Sequence, residues 1–210
     1  KFVLLLSSHL ETGHYFNPHA QRIIDAKSGG SKIAVVDVRL SNTTTHADYW
    51  VSPWPGSEPA LLLGIALELL TSGRFNKEYV ERWVNWQDYL SAFDTDGPGT
   101  FDRFIEKLIE VYSIYTPEYV EEECQLPAET VQQLADEIAK AERQFSSHLW
   151  RNTAAGNKGG WQSARALVFL HALTGSIGHP GGVNPNSWDK AHPHPSEMPP
   201  PHSQWNELIW

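Results

Sequence analysis

The sequence predicts an α/β fold: a mostly parallel sheet flanked by helices, with a helical insert. Three observations carry this. Short apolar runs at 2–6 and 32–36 bracket a stretch with helical spacing, which makes a β-α-β unit. Residues 76–145 then show repeated helical periodicity and no strand signal. Strand character returns at 146–150, and a glycine-rich loop leads from it into a long helical pattern.

Taken in order, the first strand is 2–6, followed by a polar loop over 7–15 that holds His9, Glu11 and His14. Asn17-Pro18 supplies an N-cap and a proline at the first helical position, and the helix carries Ala20, Ile23, Ile24 and Ala26 before Gly29-Gly30 stops it. The run Ile33-Ala-Val-Val36 is too short for a helix, and its branched side chains suit a strand buried on both faces. It ends on Asp37, followed by Arg39 and Ser41. A hydroxyl-rich turn leads to a short third strand within 47–54. Pro55-Gly-Ser-Glu-Pro59 then starts a helix with Ser57 as N-cap, whose buried face is Leu61, Leu62, Ile65, Ala66, Leu69 and Leu70.

Four helices are expected in the insert. One follows an Asn76 cap, one spans 101–112, one follows Thr116-Pro117, and one starts at Leu126-Pro127 with Val131, Leu134, Ala135 and Ile138 on one face. Cys124 reads as a small core residue there. The division expected is 1–75 as a dinucleotide-cradling β-α-β part and 76–145 as the insert. Residues 146–182 would be a returning strand, loop and helix, and 183–210 a Pro-rich extended segment. The abrupt apolar ends of the chain suggest a piece of something longer.

Composition narrows the function. The 210 residues hold 25 Asp and Glu against 16 Lys and Arg, a formal charge of −9, with no basic run to track phosphates; nucleic acid is not an expected partner. The longest apolar run, 60–67, is too short for a direct membrane span, and Glu68 follows it. The single cysteine excludes a disulfide framework or a cysteine-ligated cluster built from these residues alone. Nothing marks a compartment.

Four loops leave the carboxyl ends of the expected strands with polar groups: Ser7, Ser8 and His9; Asp37, Arg39 and Ser41; Gly56, Ser57 and Glu58; and the stretch from Asn152 to Gly156. An acid at a strand's carboxyl end projects into the crevice where α/β folds hold nucleotides, and its oxygens accept from ribose hydroxyls or a guanine N–H edge. Capping of the next turn is the competing role for Asp37. The 151–160 loop has neither the Walker spacing nor the Gly-x-Gly-x-x-Gly fingerprint, so a P-loop and a plain nicotinamide domain are set aside. His14 and His46 read as solvent-side loop histidines and His179 as positional. His192, His194 and His202 lack metal-site spacing.

The order of these motifs resembles the dimethyl sulfoxide reductase family of molybdenum or tungsten enzymes. Val35-Val-Asp-Val-Arg-Leu-Ser-Asn-Thr-Thr-Thr-His-Ala-Asp-Tyr-Trp50 is similar to that family's Val-Val-Asp-Pro-Arg…Thr…Ala-Asp-Trp stretch. Pro55-Gly-Ser-Glu-Pro-Ala-Leu61 is similar to its Pro-Gly-Thr-Asp-x-Ala-Leu, and Leu173-Thr-Gly-Ser-Ile-Gly-His-Pro-Gly-Gly182 to its Leu-Thr-Gly-x-Ile-Gly-x-Pro-Gly-Gly. Tyr115-Thr-Pro-Glu118 and Leu126-Pro-Ala-Glu-Thr-Val131 match its helical region. Two departures stand out. Ser7, Ser8 and His9 occupy the place of the family's Gly-x-Asn loop, and Val38 stands where the family usually has proline.

The resemblance implies a bis-molybdopterin guanine dinucleotide cofactor carrying molybdenum or tungsten, with this chain holding one guanine dinucleotide arm. Asp37 would accept from guanine or ribose. Arg39, Ser41, Gly56, Ser57 and Glu58 would lie beside the dinucleotide, and Asn152 and Gly156 nearer the pterin. It implies a catalytic subunit of an oxidoreductase that performs oxygen-atom or two-electron transfer on a small-molecule substrate. The metal's protein ligand and a 4Fe-4S cluster would lie in the remainder of that subunit, and electrons would leave through an iron–sulfur partner subunit. A hydratase or transhydroxylase of the same family, or a cofactor-less structural subunit of a respiratory complex, are the alternatives.

Overall fold

The computed structural model describes residues 1–10, 17–150, 153 and 158–184. Four strands, β1 (Phe2–Leu6), β2 (Lys32–Val36), β3 (Tyr49–Val51) and β4 (Phe145–Leu149), form one sheet in the order β3-β2-β1-β4. Every pairing is parallel; Phe2 stands opposite Lys32 on one side and Phe145 on the other. An α/β fold was expected and is found. The expected third strand is trimmed to three residues. Asp48 before it uses its carboxylate on the Ile33 N–H (2.8 Å) and on Lys27, and Pro53 after it has no N–H to pair.

Because side chains alternate along a strand, the sheet has two different faces. Phe2, Leu4, Leu6, Ala34, Val36 and Val51 point into the larger core. That core is built by α2 (Glu58–Thr71), α5 (Phe101–Tyr112), α6 (Pro117–Cys124), α7 (Glu129–Ala141) and α8 (Gly160–Thr174). Val3, Leu5, Ile33 and Val35 point the other way, where α1 (Asn17–Ser28) covers them with Ile23 and Ala20. The helix α2 is apolar nearly all round and lies at the centre of the helical layer. Gly64 lets it approach α6, since a Cβ there would stand 2.7 Å from a Val120 methyl.

Five helices, not four, lie between α2 and β4: α3 (Lys77–Trp83), α4 (Trp86–Phe93), α5, α6 and α7. The additional one, α4, buries Leu90 and packs Tyr89 edge-on against Phe104. Asn76, Thr100 and Thr116 each accept an N–H from the first turn of the following helix, as their positions suggest. Leu126-Pro127 does not itself begin α7, which starts at Glu129 after Ala128. Cys124 is fully buried, its Sγ 3.4 Å from the Ser57 carbonyl, and burial raises its thiol pKa. Gly175, in the left-handed region (φ 67°), ends α8.

Candidate functional site

The strand order places a topological switch point at β1. From it the chain runs outward through β2 to β3, and only after α7 does it return to the other side of β1 as β4. Loops leaving the carboxyl ends of β1 and β4 therefore part there and open a crevice, the usual ligand position in open α/β sheets. A cleft of about 430 Å³ lies at this edge, lined by Ser7, Asp37, Arg39, Gly56, Glu58 and Thr153 together with Val36, Val38, Pro53 and Pro55. Small-molecule sites are commonly of this size.

Asp37 is 9% exposed, and its Oδ1 accepts the Arg39 N–H at 2.9 Å, which folds the loop back on the carboxylate. Its carbonyl accepts the indole N–H of Trp50 at 2.8 Å. Arg39 is exposed at the rim. Gly56 turns the chain at φ 93°, and its N–H is taken by Glu58 Oε2 at 2.9 Å, so the first acid of α2 holds the turn that leads into the helix. Ser57 sits at the N-cap position, but its hydroxyl donates to the Trp54 carbonyl at 2.7 Å and makes no side-chain cap. Ser7 has φ 49°, a left-handed conformation costly for a residue with a Cβ, and Thr153 donates to its hydroxyl at 2.5 Å.

The cleft thus gathers Ser7, Asp37, Arg39, Gly56 and Glu58 from the expected set. Ser8, His9, Ser41 and Ser57 are not among its lining residues. Ser8 is fully buried and bonds the Leu6 carbonyl (3.0 Å) and His148 Nδ1 (2.7 Å). Ser41 shares its hydroxyl with Thr44 at 3.2 Å. His46 is exposed, and His179 holds the Pro180 carbonyl through Nδ1 at 2.8 Å. Asn152, Gly156, His14, His192, His194 and His202 lie outside the described residues. Thr153 lies within the stretch from Asn152 to Gly156 but was not singled out there, because only the return of β4 beside β1 brings it to Ser7.

A second buried polar group sits under β4. His171 of α8 stacks on Phe145 and contacts Ser147 Oγ through Nε2 (2.6 Å) and Ser176 Oγ through Nδ1 (2.7 Å). Burial pushes its pKa down to about 4. Near the end of β4, His19 lies 5.4 Å from His148, ring to ring, and burial with the nearby Arg22 charge lowers its pKa. Among the described residues no three or more of His, Cys, Asp and Glu are grouped to hold a metal ion, and no helix is long and apolar enough to cross a membrane.

The fold and this cleft define an α/β unit with a crevice at its switch point. Known proteins narrow it further. The chain is 30% identical over 167 residues to the F420-dependent formate dehydrogenase subunit alpha of Methanocaldococcus jannaschii, covering 79% of this chain and 22% of that protein. It is 27% identical over 164 residues to the probable dimethyl sulfoxide reductase chain YnfF of Escherichia coli, covering 76% of this chain and 20% of that one. Acetylene hydratase from Pelobacter acetylenicus has the same fold over 83% of this chain and 21% of its own, with a TM-score of 0.65 and 22% identity. No family model matches. The chain belongs to the dimethyl sulfoxide reductase family of molybdopterin oxidoreductases. It spans about a fifth of the length of these curated relatives.

Proposed function

We propose that this chain is part of the catalytic subunit of a molybdenum- or tungsten-dependent oxidoreductase. Its cleft would hold one guanine dinucleotide arm of a bis-molybdopterin guanine dinucleotide cofactor. The observation that carries the reading is the convergence of Ser7, Asp37, Arg39, Gly56 and Glu58 on one cleft at the switch point. The donor set fits the group. Asp37 spends one contact on Arg39 and keeps acceptor capacity for a guanine N–H edge or ribose hydroxyls, and Arg39 offers a fork of N–H donors at the rim.

When bound, the cofactor would supply the two-electron or oxygen-atom transfer to a small substrate. This chain's residues bind and orient it. Asp37 and Glu58 would present carboxylates, Arg39 and Ser41 would lie beside the dinucleotide, and Gly56 and Ser57 shape the turn into α2. Ser8 and His9 would belong to the same cradle, Ser8 through a hydroxyl tied to the Leu6 carbonyl and His148, and Asn152 and Gly156 would lie nearer the pterin. Residues 1–75 and 146–182 would form the cradle and 76–145 its helical support. The 4Fe-4S cluster, the metal's protein ligand and contacts to an iron–sulfur subunit belong to the remainder of the subunit.

The test is elemental and nucleotide analysis of the native full-length protein. Molybdenum or tungsten by mass spectrometry, with about two acid-released guanine nucleotides per metal, is the expected result. Metal-free protein without guanine overturns it in favour of a structural subunit. Turnover without an external electron acceptor would point to a hydratase or transhydroxylase.

A further inference from the structure

The cleft is not chemically uniform. At its β1/β4 end stand two hydroxyls, Ser7 and Thr153; at its β2/α2 end stand two carboxylates, Asp37 and Glu58, both more than nine-tenths buried as residues. Thr153 is 2% exposed and donates its proton to Ser7 Oγ. The Ser7 backbone N–H is spent on the Val36 carbonyl at 2.9 Å. The Ser7 hydroxyl proton has no acceptor among the described residues, and a hydroxyl that already accepts a hydrogen bond is a better donor.

Resting on the reading of this cleft as a guanine nucleotide site, we propose that Thr153 is a positioning residue. It turns the Ser7 hydroxyl into a donor for a phosphate oxygen and so sets the direction in which the nucleotide lies. Phosphates are repelled from the two buried carboxylates, Asp37 and Glu58, whose charge the one guanidinium at the rim, Arg39, offsets only in part, and settle against Ser7. The N–H edge of the base meets the carboxylates, which accept and cannot donate. The left-handed backbone of Ser7 holds its hydroxyl at this end, where a glycine would give room but no donor.

The test uses the full-length protein freed of cofactor, with guanosine diphosphate and guanosine as calorimetric probes. Thr153→Val should weaken guanosine diphosphate about tenfold, the worth of one charge-assisted hydrogen bond, and leave guanosine within about twofold. Thr153→Ser should restore the wild-type value. If the valine variant does not fold, Ser7→Gly removes the oriented hydroxyl itself at a half-buried turn and should give the same split. Equal loss of both probes, or loss of neither, overturns the assigned direction while the nucleotide site stands. Wild-type protein that binds neither probe overturns the site and the direction together.

Discussion

The two edges of the sheet are built on opposite principles. At the amino-terminal edge the charges are consumed within the fold. Glu137 accepts from Lys32 at 2.8 Å, Tyr49 at 3.2 Å and Lys140 at 3.3 Å. Burial opposes its ionisation, yet these bonds hold its carboxyl pKa below the usual range. Arg74 is shared between Glu68 and Asp136. That edge also carries the larger cavity, about 710 Å³, lined by Arg74, Phe75, Asp136, Lys140 and Arg143 among others. At the carboxyl edge the space is smaller, but Asp37 has acceptor capacity in reserve, Ser7 has a proton to give, and the backbone of Ser7 is strained. Spare, pre-aimed polar capacity marks a site better than volume does.

That contrast makes the expected effects separable. Leu69 lies fully buried in the core shared by both edges, and Leu69→Ala should cost roughly 2–5 kcal/mol in urea unfolding through the cavity it leaves. A smaller loss would mean that α2 does not bind the helical layer together.

Acid should act next. The His171 pKa is depressed to about 4 from an ordinary 6.5, so the unfolded chain takes up the proton first. The stability this group contributes is complete above about pH 6.5. It is lost as pH falls toward 4, about 3 kcal/mol in all. His171→Gln should flatten that dependence in thermal melts across this window; an unchanged slope would show that His171 is not its source.

A paired substitution tests the edges directly. Glu137→Ala should cost about 1–3 kcal/mol by stranding its partners, with guanine retention unchanged. Asp37→Ala should change stability by less than about 1 kcal/mol while guanine retention falls several-fold. Reversal of either pattern would erase the distinction.

The smallest effect lies at Ser7. Ser7→Ala loses the Thr153 hydrogen bond and keeps the left-handed strain, whereas Ser7→Gly loses the bond and relieves the strain. The glycine variant should be the more stable of the two by about 1 kcal/mol. Equal melting temperatures would argue against strain at this turn.

Much of this was legible in the primary structure, because strands buried on both faces and capped helices leave local signatures. Ile33 to Val36 ending on Asp37, and Pro55 to Pro59 before an apolar helix, needed no long-range information. Trp86, Leu90 and Phe93 of α4 fell between two better-capped segments and were passed over. Ser57 shows the limit of position-based capping: the residue stands at the N-cap, but its hydroxyl chose the Trp54 carbonyl. The contacts of Ser7 with Thr153 and of Ser147 with His171 are tertiary, spanning 146 and 24 residues, so no window of sequence displays them.

The separation between Ser7 and Thr153 also has a temporal side. β1 and β2 are joined by one short helix, whereas six more α-helices separate β2 from β4 along the chain. Contacts that close such long loops form slowly. On a growing chain, a cleft with all its walls can exist only once residue 153 has emerged and docked. A nucleotide would therefore be received by a sheet already assembled, and any chain ending before Phe145 would keep Asp37 and Glu58 yet lack the wall that faces them.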